Sequence, residues 1–451
     1  MLHALVLAAG KGTRMCSTVP KVLQPILGEP MLLYVLEAVA TVCEQDNTSV
    51  LVGHKSELVK QSIHSKGITF IEQGEQLGTG HALYVAWEQL QHQGVDRLLV
   101  VNGDVPLLSH SHLHSLLTYF DEEQLDIAFL TTTVEETGDY GVVIRENEKV
   151  YAIIEAKDLD PSLYSELNEI NTGIYVFSMQ KIAPLLPYLT NNNIKGEYYI
   201  TQLISLAVEN GLSVGAICLE DNKELLGVNT PLELVESEEI LREKICLYWL
   251  MKGVHIHNYL SVSISPTVEI EPGAVIYGPC TITGKTMIGE DVVIEPYCYI
   301  HNATIHSGVN VRSFSHIDSA SLGSHSRVGP FARLRPDVLL GNNVRIGNFV
   351  EIKKSTVGSN VAINHLSYIG DATIGEKTNI GAGTITCNYD GSVKHSTTIG
   401  SNVFVGSITA LIAPISIGDN STIGAGSVIT KSVQANTLAL SRSEQKAWQK
   451  K

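Results

Sequence analysis

Two groups of polar residues in this chain could do chemistry, and they lie far apart in sequence. The first follows the apolar run Ala4–Ala9 as Gly10-Lys11-Gly12-Thr13-Arg14, with Lys21 close behind. Backbone N–H groups of such a loop can face phosphate oxygens while the cations offset their charge. A dinucleotide fingerprint would need a third glycine where Met15 stands, and the pattern G-x-x-x-x-G-K-[ST] is absent. From the loop alone, a tight strand-to-helix turn with solvated charges stays open. The second group comprises Arg333-Leu334-Arg335, Val350-Glu351-Ile352-Lys353-Lys354, Asn364-His365-Leu366-Ser367-Tyr368 and Cys387 to Lys394. It mixes cations with a histidine, whose ordinary pKa suits proton removal near neutrality. A lone His365 could equally be a surface residue.

The first group needs a parallel sheet behind it. Ala4–Ala9, Ser49–Val52 and Arg97–Val101 read as strands, the last ending in Asn102-Gly103-Asp104, and Met31–Val42 has helical apolar spacing. This is a Rossmann-like α/β pattern, and such sheets bind ligands beyond the carboxyl ends of their strands. Gly10–Arg14 and Asp104 are therefore expected on one edge. Thr230 can cap and Pro231 can open a long amphipathic helix through Leu232, Val235, Ile240, Leu241, Ile245, Leu247 and Leu250, which Gly253 ends. At 1.5 Å per residue it makes a rod of roughly 33 Å that links domains.

The second group is embedded in a count of sixes. Ile264, Ile270, Ile276, Ile282, Ile288, Ile294 and Ile300 stand six apart, and the series resumes with one-residue shortenings as far as Ile429. One β-branched residue per six suits a flat strand stacking on its copy in the next coil, with three strands per coil of about 18 residues. Small or glycine residues are expected at the corners, and roughly nine coils in all. The pattern resembles the hexapeptide-repeat, left-handed β-helix family, and the handedness comes from that resemblance. The count breaks at Cys387–Thr398, and projecting loops are where solenoids place function. The expected domains are 1–229, a linker helix 230–253, and 254–451.

Composition narrows the setting. A net charge of −16 argues against nucleic acid and anionic membranes as partners. Seven scattered cysteines without a CxxC pair read as free thiols in a reducing compartment. No stretch reaches the apolar length of a membrane span, so a cytoplasmic protein is expected.

The stretch Leu7-Ala8-Ala9-Gly10-Lys11-Gly12-Thr13-Arg14-Met15, with Pro20-Lys21, resembles the sugar-1-phosphate nucleotidyltransferases. The resemblance implies that Leu7, Ala8, Ala9 and Gly10 hold a nucleoside triphosphate, with Arg14 and Lys21 catalytic at its α-phosphate. Gln73, Gly78 and Thr79, within Gln73–Ala82, match uracil contacts of the uridyltransferase branch. Asp104 and Asn229 match Mg²⁺ ligands. Gly141, Glu155 and Asn171 match contacts to N-acetylglucosamine 1-phosphate, and Asn193–Thr201 a further part of that wall. Asn102 departs from relatives that carry tyrosine there.

The repeat cluster resembles the acetyltransferase domain of the bacterial family that joins N-acetylglucosamine-1-phosphate uridyltransferase to glucosamine-1-phosphate acetyltransferase. That resemblance makes His365 the general base and gives Arg335, Lys353, Tyr368, Asn379 and Lys394 to glucosamine 1-phosphate. It places Asn388 and Tyr389 beside the thioester, and Ala382, Ser407, Ala425 and Arg442 at acetyl-CoA. It also implies a homotrimer, with acetyl-CoA and UTP as co-substrates and Mg²⁺ in the uridylyl step. The expected product is UDP-N-acetylglucosamine for the bacterial envelope. Two alternatives remain: a nucleotidyltransferase whose repeat is only an oligomerising arm, and a non-catalytic assembly subunit.

Overall fold

The computed structural model describes residues 1–63, 67–160 and 167–449. It divides into two compact units, Met1–Glu239 and Ile240–Lys451.

In the first unit, strand Leu2–Ala8 lies between Arg97–Asn102 and Thr48–Val52, parallel to both, and Thr69–Glu72 adds to the outer edge. Beyond Arg97–Asn102 the sheet turns mixed. Glu169–Ser178 runs antiparallel between it and Ile127–Thr133, and Val214–Cys218 closes that side. Leu5, Val50, Val100 and Ile127 have no exposed surface. Strands covered on both faces read as continuous apolar runs, which is why they are legible in the sequence. The predicted helix closes at Ala40, and Thr79–Leu90 follows the second glycine segment.

One buried group in this sheet has a pH consequence. His3 is 2% exposed, its Nε2 lies 2.9 Å from Ser49 Oγ, and burial lowers its pKa from 6.5 to about 4. The unfolded chain therefore binds the proton more tightly. Stability is full above about pH 6.5 and is lost as pH falls toward 4, by about 3 kcal/mol in all. Urea denaturation of the first unit at stepped pH is expected to show this slope, and His3→Gln to flatten it.

The second unit is a left-handed β-helix of three faces. Among the described residues the first face carries eleven strands, from His255–His257 to Leu438–Ala439, the second ten and the third nine. The sixes stack in register: Ile276 on Ile294, Ile282 on Ile300, Ile288 on Ile305. Their side chains form one continuous core. Glycine after the isoleucine is a matter of space, since a Cβ on Gly347 would run into the Asn364 carbonyl of the next coil.

Three features differ from the sequence expectations. The ladder starts before Ile264, because Ile256 already pairs with Ile276. The corners are not mainly small: Tyr297, Phe314, Phe331 and Phe349 turn the edge between the first and second faces with φ of 56–63°. Their rings stack at 4.8, 4.9 and 5.4 Å, so aromatic contact offsets left-handed backbone that such residues otherwise avoid. The helix spans Pro231–Met251, but Leu232, Val235 and Leu247 are exposed. Of its described residues, Ile245, Cys246, Trp249 and Leu250 pack on the β-helix core. No helix among the described residues is long and apolar enough to cross a membrane.

Candidate functional site

In the first unit the glycine loop and Asp104 do share the sheet's carboxyl edge. A cavity of about 580 Å³ is lined by Leu7–Thr13, Lys21, Gln73, Gly78, Thr79, Asn102 and Asp104. A second, of about 660 Å³, is lined by Arg14, Gly141, Glu155, Asn171, Asn229 and, again, Thr79, Asn102 and Asp104. The two cavities thus meet at Asp104. Gln73 is buried and donates to the Gly78 carbonyl at 3.1 Å. Gly78 has φ 110°, and a side chain there would strike the Tyr198 carbonyl, so only glycine serves.

Asp104 and Asn229 converge on one point. The Lys21 ammonium donates to Asp104 Oδ2 and, at 3.0 Å, to Asn229 Oδ1. Gly227 leaves room beside the carboxylate. The pair thus offers two hard oxygens around one cation, a donor set compatible with Mg²⁺, which takes few protein oxygens and completes its shell with phosphate and water.

Arg14 is ion-paired with Asp139, a partner that sequence reasoning missed. At the sugar end, burial raises the Glu155 pKa, partly countered by a 2.9 Å hydrogen bond from the Thr201 hydroxyl. Asn171 receives its place from the backbone: its N–H donates to the Gly141 carbonyl at 2.8 Å. Asn102 packs where a Cβ of Gly173 would lie, a contact that a tyrosine could not make in the same space.

In the second unit the predicted residues, Asn379 apart, fall into two groups on different edges, and Asn348 joins the first. Asn348, His365, Ala382, Ser407 and Ala425 form one column where the first face meets the second. Successive coils are tied there by N–H groups of Leu366, Gly383, Ile408 and Gly426 donating to carbonyls of Asn348, His365, Ala382 and Ser407. Arg442 donates to the Ala425 carbonyl at 2.9 Å. His365 Nδ1 lies 2.9 Å from Asn348 Oδ1. An amide oxygen only accepts, so Nδ1 carries the hydrogen and Nε2 keeps its lone pair for an incoming proton. Asn348 was missed, although it precedes His365 by one coil.

The cations line the opposite edge of the second face. The Lys394 ammonium, with Arg335 beyond it, pushes Lys353 below the usual lysine range. Arg335 also pairs with Glu351 at 2.8 Å. The Tyr368 hydroxyl and the Asn388 amide both close over Gly370, and Asn388 donates to Asp371. In the inserted loop Asp390 accepts from Ser392 N, Val393 N and His395 Nε2, which hold its carboxyl well below the usual range. Tyr389 and Lys394 pair across that turn. Asn379 joins neither group directly; it lies on the first face, in register with Ala362 and Phe404.

Arg335 and Lys353 therefore lie on one edge of the chain and His365 on another. Lys353 is the ladder partner of Gly370, which lies five residues beyond His365 and past the corner at Leu366. At about 3.3 Å per residue the backbone between them spans at most roughly 16 Å, about the width of one face.

The fold and these groups define a class: an NTP transferase joined to a hexapeptide-repeat transferase. Residues 4–171 match the MobA-like NTP transferase domain, 261–336 and 327–409 the GMPPB C-terminal domain, and 396–431 the bacterial transferase hexapeptide (six repeats). Proteins named bifunctional protein GlmU are similar over nearly the whole chain. That of Nitratidesulfovibrio vulgaris is 49% identical, covering 98% of this chain and 97% of its own. Those of Oleidesulfovibrio alaskensis and Acinetobacter baylyi are 48% and 42% identical, each covering 98% of this chain and 96% of its own. The chain belongs to the bifunctional GlmU family.

Proposed function

We infer a division of labour between the two units of a two-step enzyme. The enzyme is a glucosamine-1-phosphate N-acetyltransferase and an N-acetylglucosamine-1-phosphate uridyltransferase, using acetyl-CoA, UTP and Mg²⁺. In our reading the β-helix, 254–451, performs the first reaction and residues 1–229 the second, with 230–253 as the linker.

For acetyl transfer, the amine of glucosamine 1-phosphate attacks the thioester carbonyl, His365 Nε2 takes the amine proton, and CoA leaves as the C–S bond breaks. Asn388 and Tyr389 are proposed to stabilise the oxyanion, and Ala382, Ser407, Ala425 and Arg442 to seat the CoA along the His365 edge. Arg335, Lys353, Tyr368 and Lys394 are proposed to take the sugar phosphate, with Asn379 contributing from the first face. For uridylyl transfer, a phosphate oxygen of the acetylated sugar attacks the α-phosphorus of UTP and pyrophosphate leaves. Leu7–Gly10 seat the nucleotide, Gln73, Gly78 and Thr79 the base, and Gly141, Glu155 and Asn171 the sugar, while Arg14 and Lys21 stabilise the charge. Asp104 and Asn229 would hold Mg²⁺, which supplies charge neutralisation at the phosphates. We place the enzyme in the cytoplasm, in keeping with its seven free cysteines.

The separation of the two β-helix edges carries the assembly reading. A working acetyl site needs the His365 edge of one chain against the Lys353 edge of another, and a closed ring of three satisfies every edge. The test is mixing. His365→Ala and Arg335→Ala/Lys353→Ala are each expected to be inactive in acetyl transfer. After co-refolding at equal amounts, about a quarter of the shared sites draw both wild-type edges, so about a quarter of wild-type activity should return. No recovery in verified mixed oligomers would mean that each chain holds a complete site.

A further inference from the structure

We propose that Arg312, Arg327 and Arg345 form an anion site for a phosphate-bearing small molecule, adjoining the His365 edge and distinct from the Arg335–Lys353 cations. Arg327 and Arg345 are ladder partners on the first face, and Arg312 follows the strand Asn310–Val311 in the coil before them. With Asn348, Asn364 and His365 they line a cavity of about 260 Å³ that reaches the His365 ring. Guanidinium groups stacked one strand apart repel each other, and such a pair is destabilising unless an anion lies between them. Among the described residues neither Arg327 nor Arg345 has a carboxylate partner. Glu295 faces Arg312 alone, its Oε1 at 3.9 Å, while its Oε2 accepts from the Ser313 N–H and hydroxyl. In a chain of net charge −16 this local excess is not a by-product of composition. Three planar donor forks with side-chain amides beside them match a phosphate group in both charge and geometry.

This site does not depend on the functional reading above, because binding can be measured without turnover. The full-length chain, free of Mg²⁺, is titrated calorimetrically with inorganic phosphate, and its assembly is followed by light scattering. R327Q/R345Q is expected to lose one phosphate site per chain, or to weaken it at least about tenfold, while its assembly stays unchanged and its melting temperature without phosphate does not fall. R327K/R345K, which keeps the charge but not the fork, should lie between. Repeating the titration with glucosamine 1-phosphate on an R335Q/K353Q background separates the sources: retained binding assigns the site to sugar phosphates as well, and binding of phosphate alone assigns it to the free anion. Undiminished phosphate stoichiometry in R327Q/R345Q would overturn the proposal. So would a wild-type chain without this phosphate site whose R327Q/R345Q variant falls apart into monomers, since the arginines would then serve to pair with carboxylates of a second copy.

Discussion

His365→Ala is expected to lower acetyl transfer by about 10²–10⁴-fold and to leave uridylyl transfer at the wild-type rate. The size follows from what the ring does. An ammonium cannot attack a thioester, and the proton must leave as the C–N bond forms. No other imidazole shares the His365 column, where the neighbouring coil positions are Asn348, Ala382, Ser407 and Ala425. Asn348 fixes the ring through Nδ1, so Asn348→Ala should lower kcat by a smaller factor without changing the thermal stability of the domain. Free CoA and pyrophosphate, assayed separately on the same preparation, report the two activities. A folded His365→Ala oligomer that lost both activities, or neither, would break the assignment.

Much of this architecture is legible in the sequence because its causes are local. Isoleucine every six residues buries one side chain per strand, and glycine beside it clears the next coil, so the β-helix is written into every repeat. The loop Gly10–Arg14 and Asp104 share an edge because parallel strands must end together. What the sequence concealed depends on position around the coil. His365 and Lys353 are close in sequence and in coil number, but twelve residues on an 18-residue coil lead to another edge. Asn348 is remote in sequence and adjacent in space for the same reason. The aromatic corners escaped because a single phenylalanine at positive φ is unfavourable, while a stack of them is not. Asp139 and its ion pair with Arg14 depend on a loop whose path no periodicity describes.

Asp104→Ala, or chelation of Mg²⁺, is expected to abolish uridylyl transfer, by about 10³-fold or more, and to leave acetyl transfer intact. Two anionic substrates must meet in the first unit, and a phosphate oxygen cannot approach the α-phosphorus until the charge on the triphosphate is offset. Lys21 and Arg14 supply two positive charges, but in the free protein both are committed to carboxylates, Lys21 to Asp104 and Arg14 to Asp139. Removing Asp104 frees Lys21 yet deletes the only carboxylate of the proposed metal pair, leaving Asn229 with a single neutral oxygen. Asp104→Asn separates the effects: it keeps an oxygen in place and removes the charge, so it should bind Mg²⁺ weakly and recover partly at high concentrations of the ion. Asp139→Asn should act in the opposite sense, lowering KM for UTP because Arg14 no longer has to leave a partner. Initial rates across an Mg²⁺ series, with pyrophosphate release as the readout, distinguish the three variants. UDP-sugar formation at the wild-type rate in EDTA would remove Asp104 from the reaction altogether.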